Sequence, residues 1–235
     1  IPQLLVSVRS ADEAIAASAG GCQILDVKEP SFGSLGKADN RVIECVLQAG
    51  LQSGIPVSAA LGEVTDYSPL LCRENLNAGL PESFSQLSFT KLGLAGLCRD
   101  SNWSTRWQDT MSFLTESFSE SMVSSFHQWV AVIYADWEQA AAPSPDAILD
   151  CILSSKLSSE IEIAGILVDT WSKTSGQLLD AIDVEHLRGL AAAIQQSGRF
   201  FAVAGRLTSS MLPGLNSIQP DIVAIRSAAC RNEDR

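Results

Sequence analysis

A chain of 235 residues with 46% hydrophobic content can bury one complete core, and its length suits a single α/β barrel. The formal charge of -11, with 16 lysines and arginines against 27 acids, excludes the basic footprint that binding a nucleic-acid backbone requires. No run reaches the roughly 18 apolar residues of a membrane span, and the opening Leu4-Leu5-Val6-Ser7-Val8 lacks the charged and apolar segments of a signal peptide, so a soluble protein is expected.

The first expected strand covers residues 4–8. It leads into Ser10, read as a helix N-cap with Glu13 completing a capping box, and then into a helix over 11–19. A second strand at 23–27 runs into Glu29-Pro30-Ser31-Phe32-Gly33-Ser34-Leu35-Gly36, a stretch of turn formers that makes a candidate active-site loop. Strands at 56–61 and 87–91 follow, then a helical pattern over 103–126. Its serine-rich part, 112–125, still keeps Met111, Phe113, Leu114, Phe118 and Met122 at helix-compatible spacing. A strand at 129–134, a helix over 146–157, a strand at 165–169, a helix over 177–196, and strands at 200–204 and 221–226 complete the chain. Short apolar runs alternating with helical patterns are the signature of repeated βα units. Eight of them predict a (β/α)8 barrel occupying 1–235 as one domain, with no linker to divide it. An open doubly wound sheet is the alternative. In its nucleotide-binding form it calls for a glycine-rich turn after the first strand, and neither GxGxxG nor a P-loop occurs.

The six cysteines (Cys22, Cys45, Cys72, Cys98, Cys151 and Cys230) are far apart, show no CxxC and sit mostly in apolar contexts. They read as reduced core residues, which points to the cytoplasm. His127 and His186 are the two histidines, and neither lies in a carboxylate or cysteine cluster. No zinc or facial-triad site is expected, and no metal or organic cofactor.

Lysine carries the strongest signal. Of five lysines, Lys28, Lys91 and Lys173 fall at or just past expected strands, leaving Lys37 and Lys156 in ordinary positions. Loops after the strands of a parallel barrel line one mouth, so Asp26, Lys28, Lys91, Asp169 and Lys173 converge there. Asp26 and Lys28, two apart on a strand, share a face and should pair with each other or with Lys91, because an unpaired buried charge is costly. Buried ion pairs that fix barrel register would explain any one of these residues. Several ammonium groups at one mouth have no such structural use, and a partly desolvated amine there can attack a carbonyl. Asp169 could instead cap the following turn, and Lys173 could be a solvated loop residue.

Gly205 and Arg206 after the seventh strand, and Arg226, Ser227 and Ala228 after the eighth, occupy the places where barrels commonly bind phosphate. Tight βα connections would use the small residues equally well, and the arginines favour phosphate. Glu63, Asp66, Tyr134 and Asp136 are second-rank mouth candidates. Trp103, Trp107, Trp129 and Trp137 read as core or interface, with Trp171 in a mouth loop.

Six segments taken in order resemble one known family. They are Leu4-Leu5-Val6-Ser7, Asp26-Val27-Lys28-Glu29-Pro30 with Gly33-Ser34-Leu35-Gly36, Lys91-Leu92-Gly93-Leu94, Val168-Asp169-Thr170 with Lys173, Ala204-Gly205, and Arg226-Ser227-Ala228-Ala229-Cys230. The chain resembles, over nearly its whole length, the (5-formylfuran-3-yl)methyl phosphate synthase family of methanofuran biosynthesis. The resemblance implies a TIM-barrel lyase that condenses two glyceraldehyde 3-phosphate molecules, one first isomerised. It assigns Lys28 as the Schiff-base lysine and Lys91 as the proton acceptor, with Asp26, Asp169 and Lys173 completing the polar site. Two departures stand out: Arg206 occupies the place of a small hydroxylated residue, and 112–125 has no clear counterpart. The expected partner is a triose phosphate, with no nucleic acid, no membrane and no cofactor, and a homo-oligomer is expected. A class I aldolase, a triose-phosphate isomerase-like enzyme and a non-catalytic sugar-phosphate-binding barrel are the competing readings.

Overall fold

Eight parallel strands hydrogen-bond in sequence order, and the eighth returns to the first, so the sheet closes into a barrel. The computed structural model describes residues 1–67, 80–117, 128–154, 157, 161–172, 174 and 176–230. The strands are β1 Gln3–Val8, β2 Ile24–Val27, β3 Val57–Glu63, β4 Phe89–Gly93, β5 Gln128–Tyr134, β6 Glu162–Asp169, β7 Phe200–Val203 and β8 Ile222–Ile225. The described helices are α1 Ala11–Ala19, α2 Asn40–Ser53, α3 Trp103–Ser117, α4 Pro145–Leu153, α5 Leu178–Ala181, α6 Val184–Gln196 and α7 Leu212–Asn216. The fold is a (β/α)8 barrel, as the alternation of patterns predicts. Among the described residues no helix is long and apolar enough to cross a membrane.

Strand side chains alternate between two environments. Those facing outward, such as Val6, Leu25, Val27, Leu92, Ile133, Val168 and Phe201, pack with Ile43, Leu47, Leu187 and Ile194 of the surrounding helices in one continuous core. Those facing inward include Leu5, Ile24, Ala60, Val130, Val132, Leu167, Ala202, Ile222 and Ala224. At the N-terminal end, Phe89 and Phe200 meet edge to face with centroids 5.3 Å apart. Gly165 makes room for them, since a Cβ there would land on the Phe200 ring. Apolar packing therefore closes one end of the barrel, and polar side chains collect at the other.

Several local expectations change. Ser10 caps α1 by accepting from Glu13 N at 3.2 Å, but the Glu13 carboxylate reaches past Ser10 to Arg9 N at 2.8 Å, so the box is not reciprocal. The helical pattern over 177–196 is two helices. Ile182 is extended and Asp183 caps α6 by accepting from His186 N at 2.8 Å, which starts a new helix. α4 stops at Leu153, where Ser154 folds back onto Asp150 O. α3 covers the first part of the pattern over 103–126, and residues 118–127, with most of the serine-rich stretch and His127, lie outside the described residues. Cys22 and Cys151 are core residues, but Cys45 and Cys98 are exposed and Cys230 is partly so, and Cys72 lies outside the described residues. The sequence reading of the cysteines as core therefore holds for only some of them, because helix α2 turns Cys45 outward.

Candidate active site

The C-terminal ends of the strands open on a cavity lined by Asp26, Lys28, Lys91, Asp169, Arg206 and Arg226, among others. Backbone register builds its floor. Ser7, Asp26 and Ser58 lie side by side on β1, β2 and β3, so three polar side chains share one inward row. The Asp26 carboxylate accepts from Ser7 Oγ at 3.1 Å and Ser58 Oγ at 2.7 Å, and it forms an ion pair with Lys91 of β4. Lys91 Nζ also donates to Ser58 Oγ at 3.2 Å. Asp26 and Lys91 are 2% and 3% exposed, so this pair is removed from water. Of the two pairings expected for Asp26, the one with Lys91 is realised.

Burial would raise the Asp26 pKa, but Lys91 and Lys28 beside it hold the carboxyl below its usual range. Burial pushes the Lys91 amine below the ordinary lysine value despite Asp26. Lys28, two residues after Asp26, points its charge at the same group of side chains and acts on Asp26, Lys91 and Asp169. Among the described residues the Lys28 amine has no hydrogen-bond or ion-pair partner, although it lines the cavity.

Asp169 closes the opposite wall. It is 5% exposed, accepts from Thr170 N at 2.7 Å and stands 3.2 Å from Ser34 Oγ. Burial pushes its carboxyl above the usual range, with Lys28 and these two donors working against that shift. Ser34 comes from the loop after β2, and its hydroxyl also reaches Thr170 O at 3.0 Å. That loop is fixed at several points. Glu29 N donates to Gly36 O, Gly62 N donates to Leu35 O, and the Arg9 guanidinium binds the Glu29 carboxylate at 3.0 Å. The Glu-Pro-Ser-Phe-Gly-Ser-Leu-Gly segment thus folds across the mouth from β2 to β6. Buried Asp136 accepts from Trp171 N and Ser172 N at 2.7 and 2.8 Å and so fixes the loop after β6. Lys173, the next residue in that loop, lies outside the described residues.

Gly205, Arg206, Arg226 and Ser227 line the β7–β8 side of the cavity, whereas Ala228 does not. Ala228 sits in the middle of the short turn Ser227–Ala229 and is exposed. Arg226 Nη1 donates to Ser7 O at 3.1 Å and Glu13 Oε2 at 3.2 Å, while Nε and Nη2 are buried with no partner among the described residues. Buried guanidinium donors left unpaired are unfavourable, and an anion would satisfy them. Among the described residues no group of His, Cys, Asp and Glu is placed to hold a metal ion.

The sequence reading carried Ser34 only as part of the candidate loop and Ser7 only as part of a matched segment, gave neither a role, and did not single out Ser58. Ser7 and Ser58 interrupt apolar strands at inward-facing positions, but a lone hydroxyl fits either face of a strand and gave no signal by itself. Ser34 lies in the candidate loop, but its contacts with Asp169 and Thr170 are set only by the fold.

The sequence model of the 4-HFC-P synthase family matches residues 4–235. The chain belongs to that family. It is 31% identical to a (5-formylfuran-3-yl)methyl phosphate synthase of Methanococcus maripaludis, over 99% of this chain and 91% of the relative. It is 29% identical to the enzyme of the same name from Methanopyrus kandleri, over 100% of this chain and 92% of the relative. Among solved structures, the CutC protein of Streptococcus agalactiae aligns with 98% of this chain and 100% of its own at a TM-score of 0.65 and 11% identity, a likeness of fold alone. The motif residues that carry the resemblance to the 4-HFC-P synthase family supply Asp26, Lys28, Lys91 and Asp169, and these line one cavity.

Proposed function

We propose that this chain is a (5-formylfuran-3-yl)methyl phosphate synthase, a lyase acting on glyceraldehyde 3-phosphate in the making of methanofuran-type cofactors, with Lys28 as its Schiff-base residue. The observation that carries the assignment of Lys28 is the contrast between two amines in one cavity. Lys91 is committed to Asp26 and Ser58, while the Lys28 amine has no such partner among the described residues and faces the open space. A nucleophile needs its lone pair free, and a proton acceptor needs a fixed position.

In this reading the Lys28 nitrogen adds to the carbonyl of a triose phosphate and expels water, and the iminium makes the adjacent carbon acidic. Lys91, its affinity for a proton lowered by burial, removes that proton. The resulting enamine bonds to the aldehyde carbon of the second triose phosphate. Loss of phosphate and further water, with ring closure, forms the furan and returns the lysine. Asp169, whose burial favours the protonated carboxyl, is suited to donating a proton to a departing oxygen. Arg226, with Arg206 and Gly205, supports the reading of a substrate phosphate on the β7–β8 side. Lys173 belongs to this set by the resemblance.

Purified protein incubated with glyceraldehyde 3-phosphate should produce the ultraviolet absorbance of a furan aldehyde and release inorganic phosphate. Borohydride added during turnover should leave a covalent adduct on Lys28. Triose consumption without a furan would replace the synthase by an aldolase or isomerase. An adduct elsewhere, or an active Lys28→Ala variant, would sink the lysine assignment.

A further inference from the structure

One aromatic side chain at the mouth of the cavity has no part in the mechanism above. Trp171, two residues past Asp169 in the loop after β6, lines the cavity and is 39% exposed. A lone exposed aromatic on the outer surface would need no explanation, but this one borders the site and its loop is fixed. Asp169 accepts from Thr170 N at 2.7 Å, and buried Asp136 accepts from Trp171 N at 2.7 Å and Ser172 N at 2.8 Å. Three successive backbone amides are thus held by two carboxylates. A large ring carried on so fixed a backbone is ready to meet a ligand without first being ordered.

Thr170 sets where that backbone lies. Its carbonyl oxygen accepts from Ser34 Oγ at 3.0 Å, which ties it to the loop that follows Lys28. The loop after β7 packs against its side chain: a Cβ on Gly205 would lie 3.0 Å from Thr170 Cγ2 and 3.2 Å from Oγ1. Gly205 has φ at 105°, so glycine serves both the backbone conformation and the close approach of the two loops. Arg206, the next residue, lines the cavity on the β7–β8 side together with Arg226. Trp171 therefore borders the cavity between the loop that continues from Lys28 and the side that carries the arginines.

We propose that Trp171 is a specificity-determining residue whose indole stacks on the furan ring, with the aldehyde end of that ring toward Lys28 and its phosphate toward Arg226. The proposal deepens the synthase reading and rests on it. Triose phosphates are acyclic and offer the indole no ring face, whereas the planar furan does. A contact made only once the ring has closed favours the late, ring-bearing states over the bound substrates. Trp171 thus reads the feature that separates this product from that of an ordinary aldol condensation.

Inhibition by the product, (5-formylfuran-3-yl)methyl phosphate, tests this when it is measured beside KM for glyceraldehyde 3-phosphate in wild type, Trp171→Leu and Trp171→Phe. Asp136 holds the loop through the backbone of residue 171, so both variants should melt with the wild type. Leucine keeps an apolar side chain and removes the ring face. The expected result is a product Ki raised about 3–10-fold in Trp171→Leu, the worth of one aromatic pair, with the triose KM changing by a smaller factor. Phenylalanine should restore most of the lost affinity. An unchanged Ki in Trp171→Leu, a KM that rises by the same factor as Ki, or a phenylalanine variant no better than the leucine one overturns the inference. Each of these leaves the proposed function standing as long as the wild type makes the furan. A wild type that makes no furan overturns both.

Discussion

Replacing Asp26 by Asn removes the one carboxylate that pairs with a fully buried amine, and the consequence for stability has a calculable pH dependence. With the charge gone, Lys91 has two options. It can stay charged without an ion-pair partner, which for a broken buried pair costs about 3–5 kcal/mol. It can instead lose its proton on folding, which at pH 7 costs at most about 4.6 kcal/mol, given about 1.36 kcal/mol per pH unit below an ordinary lysine pKa of ~10.4. The chain takes the cheaper route, so the loss at pH 7 is about 3–4 kcal/mol. At about 2–4 °C per kcal/mol for a chain of this size, the melting temperature falls by roughly 6–16 °C. At pH 9 the cost of deprotonation is at most about 1.9 kcal/mol and the drop shrinks to roughly 4–8 °C. The sign follows from proton counting. The buried amine has its folded pKa below its unfolded one, so the unfolded chain binds more protons and stability rises with pH across that window. Thermal melts of wild type and Asp26→Asn at pH 7 and pH 9 measure the difference directly, since titrations common to both proteins cancel. An equal loss at the two pH values, or a loss under about 1 kcal/mol at pH 7, refutes the reasoning.

Two further expectations concern the walls of the cavity. Ser34→Ala removes a donor that favours ionised Asp169, so a carboxyl already held high by burial rises further, and the kinetic limb it controls should move to higher pH by up to about one unit. A carboxyl with a raised folded pKa contributes stability that is full below its unfolded value of ~3.9 and lost as pH rises through the folded value. Ser34→Ala should therefore extend that loss to higher pH, which melts between pH 4 and 7 would record. Arg226→Gln withdraws the guanidinium from the β7–β8 side. If a substrate phosphate binds there, kcat/KM for glyceraldehyde 3-phosphate should drop by about 10–100-fold, mainly through KM. Inorganic phosphate should also weaken as an inhibitor, and an unchanged KM would move the phosphate elsewhere.

The barrel was legible because each strand is an apolar run bounded by turn formers and each helix repeats its apolar residues at helical spacing. Where a local cap competed with that spacing, the pattern misled. Asp183 starts a second helix inside a stretch whose hydrophobic repeat runs unbroken. Among the site residues, Asp26, Lys28, Lys91 and Asp169 were readable because ionisable residues at the ends of apolar strands are hard to explain otherwise. The serines were not. A hydroxyl is compatible with either face of a strand, and the value of Ser7 and Ser58 comes entirely from the register that sets them on either side of Asp26.

The sequence by itself determined the number and order of strands, the end of the barrel at which polar side chains gather and the charged residues among them, because periodicity and strand termini are local properties of a chain. Tertiary structure alone decided which amine pairs with Asp26, which remains uncommitted and how Ser34 reaches Asp169. Each of those depends on distances between residues that are far apart in sequence.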